Sequence, residues 1–171
     1  GVSLRCVRTG HHPRALHEGR DVSFVLVERG DARLALFQDQ DRRVVRIALM
    51  RSTIHMVSDR DCLMLRPLVQ PVLEREIRGS AHGRMIAGIP LAELLAAGRA
   101  LVEERPRTTT ELADLLAERW PIRYPRSLAY AIRNHVPLVQ VPPRGLWGQA
   151  GQPSCTSAES WLGRPLDAAA S

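Results

Sequence analysis

Apolar residues recur at helical spacing in the second half of the chain and predict three successive helices. The first is Leu91–Glu104, which begins after a proline and ends before the next one. The second begins at Thr108 and Glu111, which have the three-residue spacing of a capping box. The third lies between Pro125, which suits a first helical turn, and Pro137, which ends it.

The third predicted helix has two chemically different faces. Leu128 and Ile132 belong to an apolar face that would pack on the other helices. The opposite face is polar and basic, and Ser127 lies at its beginning. Its other members are Arg126, Tyr130, Arg133 and Asn134. We expect the apolar face to pack and the polar face to be free to contact a partner.

The segment after the third helix predicts a β-hairpin. "LVQV" (138–141) alternates as a strand, "PPRG" reads as a turn and "LWGQ" (146–149) as the returning strand. Arg144 would lie at the tip of this wing, where Gly145 permits a tight turn. Three helices followed by a hairpin predict an α+β, mainly helical fold of the winged helix-turn-helix type, whose third helix enters the DNA major groove.

An earlier hairpin and two helices are predicted between residues 42 and 78. "RRVVRIALMRSTIHMVS" holds four arginines and β-branched residues on both sides of a turn near "MRS". Ser58 with Asp61 has the pattern of an N-cap followed by an acid in the first turn. Pro67 should end that helix near residue 65 and begin another that runs to residue 78. The Gly-rich residues 79–88 would form a linker.

The charge distribution indicates a polyanionic partner. The 24 basic residues are all arginines, against 18 acids, and the isoelectric point is near 10.4. Residues 119–158 hold five arginines and no acid, and residues 42–58 hold four arginines and no acid. The planar guanidinium suits phosphates and base edges. Duplex DNA is therefore the expected partner, and the expected contacts come from the third helix, the wing and the earlier hairpin. They are Arg126, Ser127, Tyr130, Arg133, Asn134, Arg144, Arg46 and Arg51.

Other classes of protein and site lack support in the sequence. No run approaches the ~18 apolar residues of a membrane span, and no signal peptide is recognisable, so we expect a cytoplasmic protein, associated with the nucleoid if it binds DNA. Cys6, Cys62 and Cys155 lack metal-ligand spacing, and we expect reduced thiols, no metal and no cofactor. Phosphate-binding and nucleophile motifs are also absent. The start at Gly1 suggests a fragment of a longer chain.

Several blocks of sequence together resemble a known family. "VVRIALMRSTIHMVSDRDCLMLRPLVQPVLER", "ERPRTTTELADLLAERWP", and "LVQVPPRGLWGQ" through "AESWLGRPL" are similar to the bacterial winged-helix family that includes the AlkZ/YcaQ-type interstrand-crosslink DNA glycosylases. The resemblance implies tandem winged helices with a concave, basic DNA-binding surface. On that implication residues 42–80 are a remnant of a first winged helix, residues 88–166 are a winged helix-turn-helix and residues 167–171 are a tail. The lead (1–41) looks unlike the family; its first twenty residues lack periodicity and are expected to be poorly ordered, and a hairpin is possible near residue 30.

The resemblance also implies where the chemistry should lie. Glycosylases of this family use a Gln-aliphatic-Gln motif in the first unit to position the hydrolytic water. The comparable triplet here is Gln38-Asp39-Gln40, whose centre is charged and which directly precedes the first hairpin. The Gln-aliphatic-Gln motif is therefore not intact in this chain: Gln38 and Gln40 are only candidates for the catalytic pair, and a surface linker without a catalytic role is the alternative interpretation.

Three functions remain open from the sequence. The main one is binding of double-stranded DNA through the winged helix-turn-helix. The second is a DNA glycosylase, or part of one, that removes alkylated or crosslinked bases. The third is a winged helix that binds a protein partner.

Overall fold

A computed structural model describes residues 42, 44–142 and 151–167 of the chain. These residues form a mixed α/β structure in which helices predominate. In chain order the elements are strand β1 (Val44–Ala48), a single 3₁₀ turn (Met50–Ser52), β2 (Ile54–Ser58), helix α1 (Asp59–Gly79), α2 (Ala81–Met85), α3 (Leu91–Glu104), β3 (Arg107–Thr108), α4 (Thr109–Arg119), α5 (Arg126–His135), β4 (Leu138–Val141), β5 (Ser154–Ser157) and α6 (Ala158–Leu162).

One antiparallel sheet joins the two halves of the described chain. Its strand order is β2-β1-β4-β5-β3. The first hairpin pairs from Val44 opposite Ser58 to Ala48 opposite Ile54, and β1 also pairs with β4 through Ile47 opposite Val139. The two predicted units therefore share a sheet, and the domain division between residues 80 and 88 stays a prediction.

Two apolar clusters stabilise this arrangement. The first is built from α3, α4 and α5 and includes the fully buried Leu94, Leu128 and Ile132. The second joins the sheet to α1 and α6 and includes Ile47 and Val139. The first cluster thus packs α5 on α3 and α4, and the second packs the sheet on α1 and α6.

The sequence-based helices α3, α4 and α5 are confirmed, as is the first hairpin with its turn at 50–52. The capping box is present: Thr108 and Glu111 exchange hydrogen bonds between side chain and backbone at the start of α4. Ser58 caps α1 by accepting a hydrogen bond from the backbone N–H of Asp61 at 3.0 Å. These are local interactions that residue spacing alone can predict.

The predicted break at Pro67 is wrong, because α1 continues without interruption through both Pro67 and Pro71. A proline cannot donate to the carbonyl four residues earlier, so Pro67 leaves the Leu63 carbonyl without its helical donor. The backbone N–H of Asp167 donates to that carbonyl at 3.2 Å instead. A distant segment therefore supplies the missing hydrogen bond and removes part of the cost of the proline.

The predicted linker at 79–88 is also wrong in part, since it contains the short helix α2. Ser80 accepts a hydrogen bond from the Gly83 N–H at 3.1 Å and so caps that helix. Gly83 lies so close to α1 that a Cβ there would be 2.2 Å from the Ile77 carbonyl oxygen. Gly83 therefore allows α1 and α2 to pack closely against each other. It does not form a flexible linker.

The strand at "LVQV" is confirmed as β4, and its sequential partner among the described residues is β5, with Leu138 opposite Ser157 and Val141 opposite Ser154. The predicted returning strand "LWGQ" and the wing-tip Arg144 lie outside the described residues, as do the lead at 1–41 and most of the tail.

Candidate functional site

Part of the polar face of α5 is packed against other elements, so the expectation that the whole face is free is wrong. Ser127 and Asn134 are both 0% exposed. Helices α1 and α2 and the turn between β1 and β2 cover this side of α5. Buried polar groups on this side of α5 nevertheless form a cluster joined by hydrogen bonds.

Asn134 is the centre of that cluster. Its Oδ1 accepts a hydrogen bond from the Ser52 hydroxyl at 2.9 Å, and its Nδ2 donates to the Tyr130 carbonyl at 2.8 Å. The backbone carbonyl of Asn134 accepts from Arg66 at 3.1 Å. A buried amide with its donors and acceptors paired holds the hairpin turn, α1 and α5 in one arrangement.

Arg66 is a buried charge, only 1% exposed. Burial lowers the pKa of its guanidinium to about 10, while the nearby Cys62 and Glu74 act in the opposite direction. It also donates to the Gln70 side chain, which in turn donates to Glu74 Oε1 at 2.8 Å. At neutral pH Arg66 therefore stays charged. The Glu74 carboxylate, to which it is connected through the Gln70 side chain, balances this charge.

Two predicted contact residues are held at the edge of this cluster. The Arg133 guanidinium donates to the Ser52 carbonyl at 2.8 Å and so connects α5 to the hairpin turn. The Tyr130 ring lies 4.5 Å from the His82 ring, and His82 Nδ1 is 3.0 Å from the Ser127 hydroxyl. Both side chains are half-buried and keep some surface at the side of α5.

A strip of basic and aromatic groups remains accessible along this side, and we call it the α5 strip. It begins at the exposed Arg126, continues over Tyr130 and Arg133, and reaches the exposed Arg51 beside Ser52. Arg46, predicted with them, is half-buried in β1 opposite Gln140. No acidic residue belongs to the segments that supply the strip from β1, the hairpin turn and α5.

The turn before α5 adds a further basic and a further aromatic residue next to Arg126, at the start of the α5 strip. Arg123 stacks over the ring of Tyr124 at 5.3 Å, and Tyr124 is 52% exposed. Sequence reasoning did not select this pair, although an Arg-Tyr step in an acid-free segment was visible. Exposed aromatic rings next to arginines are suited to base stacking and phosphate contact.

A cleft of about 370 Å³ lies between the ends of α1 and α3, with α2 and α5 at its sides. Its walls are mostly apolar, and Glu74, Arg78 and His135 are the polar groups that line it. His135 Nδ1 lies 2.9 Å from the Ala131 carbonyl.

Within the described ranges, no three His, Cys, Asp or Glu side chains come together as a metal site requires. Cys62 and Cys155 are free thiols, and burial raises their pKa values to about 12 and about 11. Such thiols are poor nucleophiles. None of the helices within the described ranges has the length and apolar character needed to cross a membrane.

Comparison with known families decides the identity of the chain. The model of a family described as DNA glycosylase AlkZ-like matches residues 20–171. The chain belongs to the AlkZ-like DNA glycosylase family. Searches of curated proteins and of solved structures find no match. The family part of the resemblance is thereby confirmed, and membership of a DNA glycosylase family implies that DNA is the substrate.

Membership of the AlkZ-like family gives particular weight to residues that the structure does not reach. Gln38 and Gln40 lie outside the described residues, although within the span that the family model matches.

Sequence reasoning missed Ser52, Arg66 and His82, which hold the α5 strip in place. Their partners lie at least 45 residues away along the chain, so no local pattern could indicate them.

Proposed function

We propose that this chain serves base-excision repair, binding damaged duplex DNA and contributing to the release of alkylated or crosslinked bases. The observation that carries the proposal is the AlkZ-like family match over residues 20–171. Release of a base is hydrolysis of the bond between base and sugar, so it requires an extruded nucleotide and a positioned water. Plain DNA binding, the simpler interpretation, describes only the first step.

The proposed DNA-binding unit is a winged helix-turn-helix made of α3 to β5. Its support is the order helix, short strand, two helices and two antiparallel strands, with β3 paired to β5. In such a unit α5 would be the recognition helix and the connection between β4 and β5 the wing. Arg144 would contact the DNA backbone from that wing.

The α5 strip is the proposed contact surface, with changed roles for two of its predicted members. Arg126, Tyr130, Arg133 and Arg51 would meet phosphates or bases. Ser127 and Asn134 are fully buried and would instead position those groups. The strip combines three arginines and a tyrosine from α5 and the adjoining hairpin turn, which supports contact with an extended polyanion.

For the chemical step we propose Gln38 and Gln40, by analogy with the Gln-aliphatic-Gln motif of the family. Their amide groups could hold a water by one donated and one accepted hydrogen bond.

The binding part of the proposal is tested by titrating duplex DNA at several salt concentrations. Binding should weaken with a log–log slope of about −0.9 for each neutralised phosphate. Arg126→Ala and Arg51→Ala should each reduce the slope by about one unit. Arg105→Ala, whose guanidinium pairs with Glu111 in the acid-rich half, is the matched control and should leave the slope unchanged. Affinity without salt dependence, or equal slopes in all variants, would contradict the proposal.

A further inference from the structure

The tip of the first hairpin has an unusual backbone conformation. Arg51 has φ 48° and ψ 39°, and Ser52 has φ 56°. The Thr53 N–H donates to the Met50 carbonyl at 3.1 Å, which closes a turn of the I′ kind. Asn and Gly normally occupy the two central positions of such a turn, because other side chains are strained there. Here both positions carry strained residues.

Neighbouring groups hold this turn in place. Asn134 accepts the Ser52 hydroxyl at 2.9 Å, and Arg133 donates to the Ser52 carbonyl at 2.8 Å. The Thr53 hydroxyl donates to the Met50 carbonyl at 2.7 Å. Strained backbone persists only where its surroundings determine it, and it is concentrated at functional positions. The polar cluster of α5 thus fixes the direction in which the tip points.

The side chains that the tip presents are Met50 and Arg51. Met50 is 50% exposed, and Arg51 is also exposed. Ser52, by contrast, points inward and is 9% exposed. The tip therefore presents the long, flexible apolar side chain of Met50 next to the cation of Arg51. Both residues belong to the acid-free segment 42–58, and Arg51 is part of the α5 strip.

We propose that Met50 is a wedge that enters the base stack of bound DNA, with Arg51 on the adjacent backbone. This inference rests on the proposed DNA binding and adds a role in distorting the duplex. Proteins often unstack and kink DNA by inserting apolar side chains between neighbouring base pairs. Arginines beside the inserted side chain neutralise the negative charge of the nearby phosphates. Methionine suits the task because its unbranched side chain adapts to irregular gaps. A locally unstacked nucleotide is also easier to extrude.

The test uses the full chain and a set of duplexes with 2-aminopurine at successive positions, because this base analogue fluoresces more strongly when unstacked. The wild type should raise the fluorescence at one position several-fold on binding. Met50→Ala should abolish that rise and weaken binding by less than tenfold, with the salt slope unchanged. Met50→Leu should retain the rise. Met85→Ala removes another exposed methionine, 42% exposed in α2, and should behave as the wild type.

The outcomes separate this inference from the proposed function. If the wild type binds with the expected salt slope but Met50→Ala gives the same fluorescence rise, the wedge is overturned while DNA binding stands. A fluorescence rise lost equally in Met85→Ala would also overturn it, because the effect would then not belong to the hairpin tip. If the wild type does not bind the duplex at all, both proposals fail.

Discussion

Asn134 shows how a residue can be placed on the right face of a helix and still receive the wrong role. Its polar neighbours at helical spacing suggested a surface that reads DNA. Its side chain instead accepts from Ser52, 82 residues away, and is completely buried. Helical periodicity identifies which residues share a face, but it does not say whether another element covers that face.

Replacing Asn134 by alanine should therefore lower the free energy of unfolding by about 2 kcal/mol, because the Ser52 hydroxyl loses its acceptor in a buried site. Denaturant unfolding monitored by circular dichroism would measure the change. Arg126→Ala, an exposed position at the start of the same helix, should change it by less than about 0.5 kcal/mol. Equal destabilisation by both substitutions would refute the central position of Asn134 in the cluster.

Glu111 provides a pH-dependent contribution to stability. Hydrogen bonds from the backbone N–H and then the hydroxyl of Thr108, followed by that from Arg105, lower its pKa from 4.5 to about 2. A carboxyl whose pKa is lower in the folded state stabilises above its unfolded pKa and loses that contribution as the pH falls. The loss should occur between about pH 4.5 and about pH 2.

Comparing wild type with Glu111→Gln across this interval would measure that contribution, since glutamine keeps the shape of the capping box without the charge. The stability difference should be largest near neutral pH and should shrink as Glu111 becomes protonated. Glu118→Gln, at an exposed position in the same helix, serves as control. A difference that stays constant through the interval would show that the capping charge does not stabilise the fold.

At the scale of elements, local signals predicted most boundaries and missed the effects of distant partners. The caps of α1 and α4 depend on residues three positions apart and are confirmed. Proline was expected to end α1 at residue 67, but the Asp167 N–H, 104 positions from Leu63, donates to the freed carbonyl. The short helix α2 was hidden by the glycines of residues 79–88, of which Gly83 is required by the close contact with α1.

The packing of α3 on α5 leads to a prediction at Gly98. A Cβ at this position would lie 2.3 Å from Ile132 Cδ1 and 2.6 Å from its Cγ1, and Ile132 is fully buried. Gly98→Ala should destabilise the fold by about 1–2 kcal/mol, because overpacking outweighs the roughly 1 kcal/mol gain in helix propensity. Thermal and denaturant unfolding would measure the difference.

Gly79→Ala is the matched control for that substitution. Gly79 ends α1, and nothing lies within 4 Å of a Cβ built there. The variant should be neutral or more stable by less than about 1 kcal/mol. If Gly98→Ala proved as stable as Gly79→Ala, the close approach of α3 and α5 would be wrong.

At the scale of the whole molecule, the family was predictable from the sequence, and the arrangement of the polar side of α5 was not. Block-by-block resemblance pointed to the winged-helix family that includes DNA glycosylases, whereas the acid-free segments pointed to plain DNA binding; the family match supports the glycosylase interpretation better. The sheet that joins the first hairpin to β4, and the burial of Ser127 and Asn134 on the α5 polar face, arise from contacts between residues far apart in sequence. Such contacts leave no periodic signal in a single chain.

The most direct test of the account is release of bases from alkylated duplex DNA by the full chain. Reaction products would be treated with hot alkali, which cleaves the strand at abasic sites. We predict strand breaks at modified bases and none in unmodified duplex, and we predict that the double variant Gln38→Ala, Gln40→Ala still binds the duplex but yields no breaks. Binding by the wild type without abasic sites above the protein-free control would contradict the account.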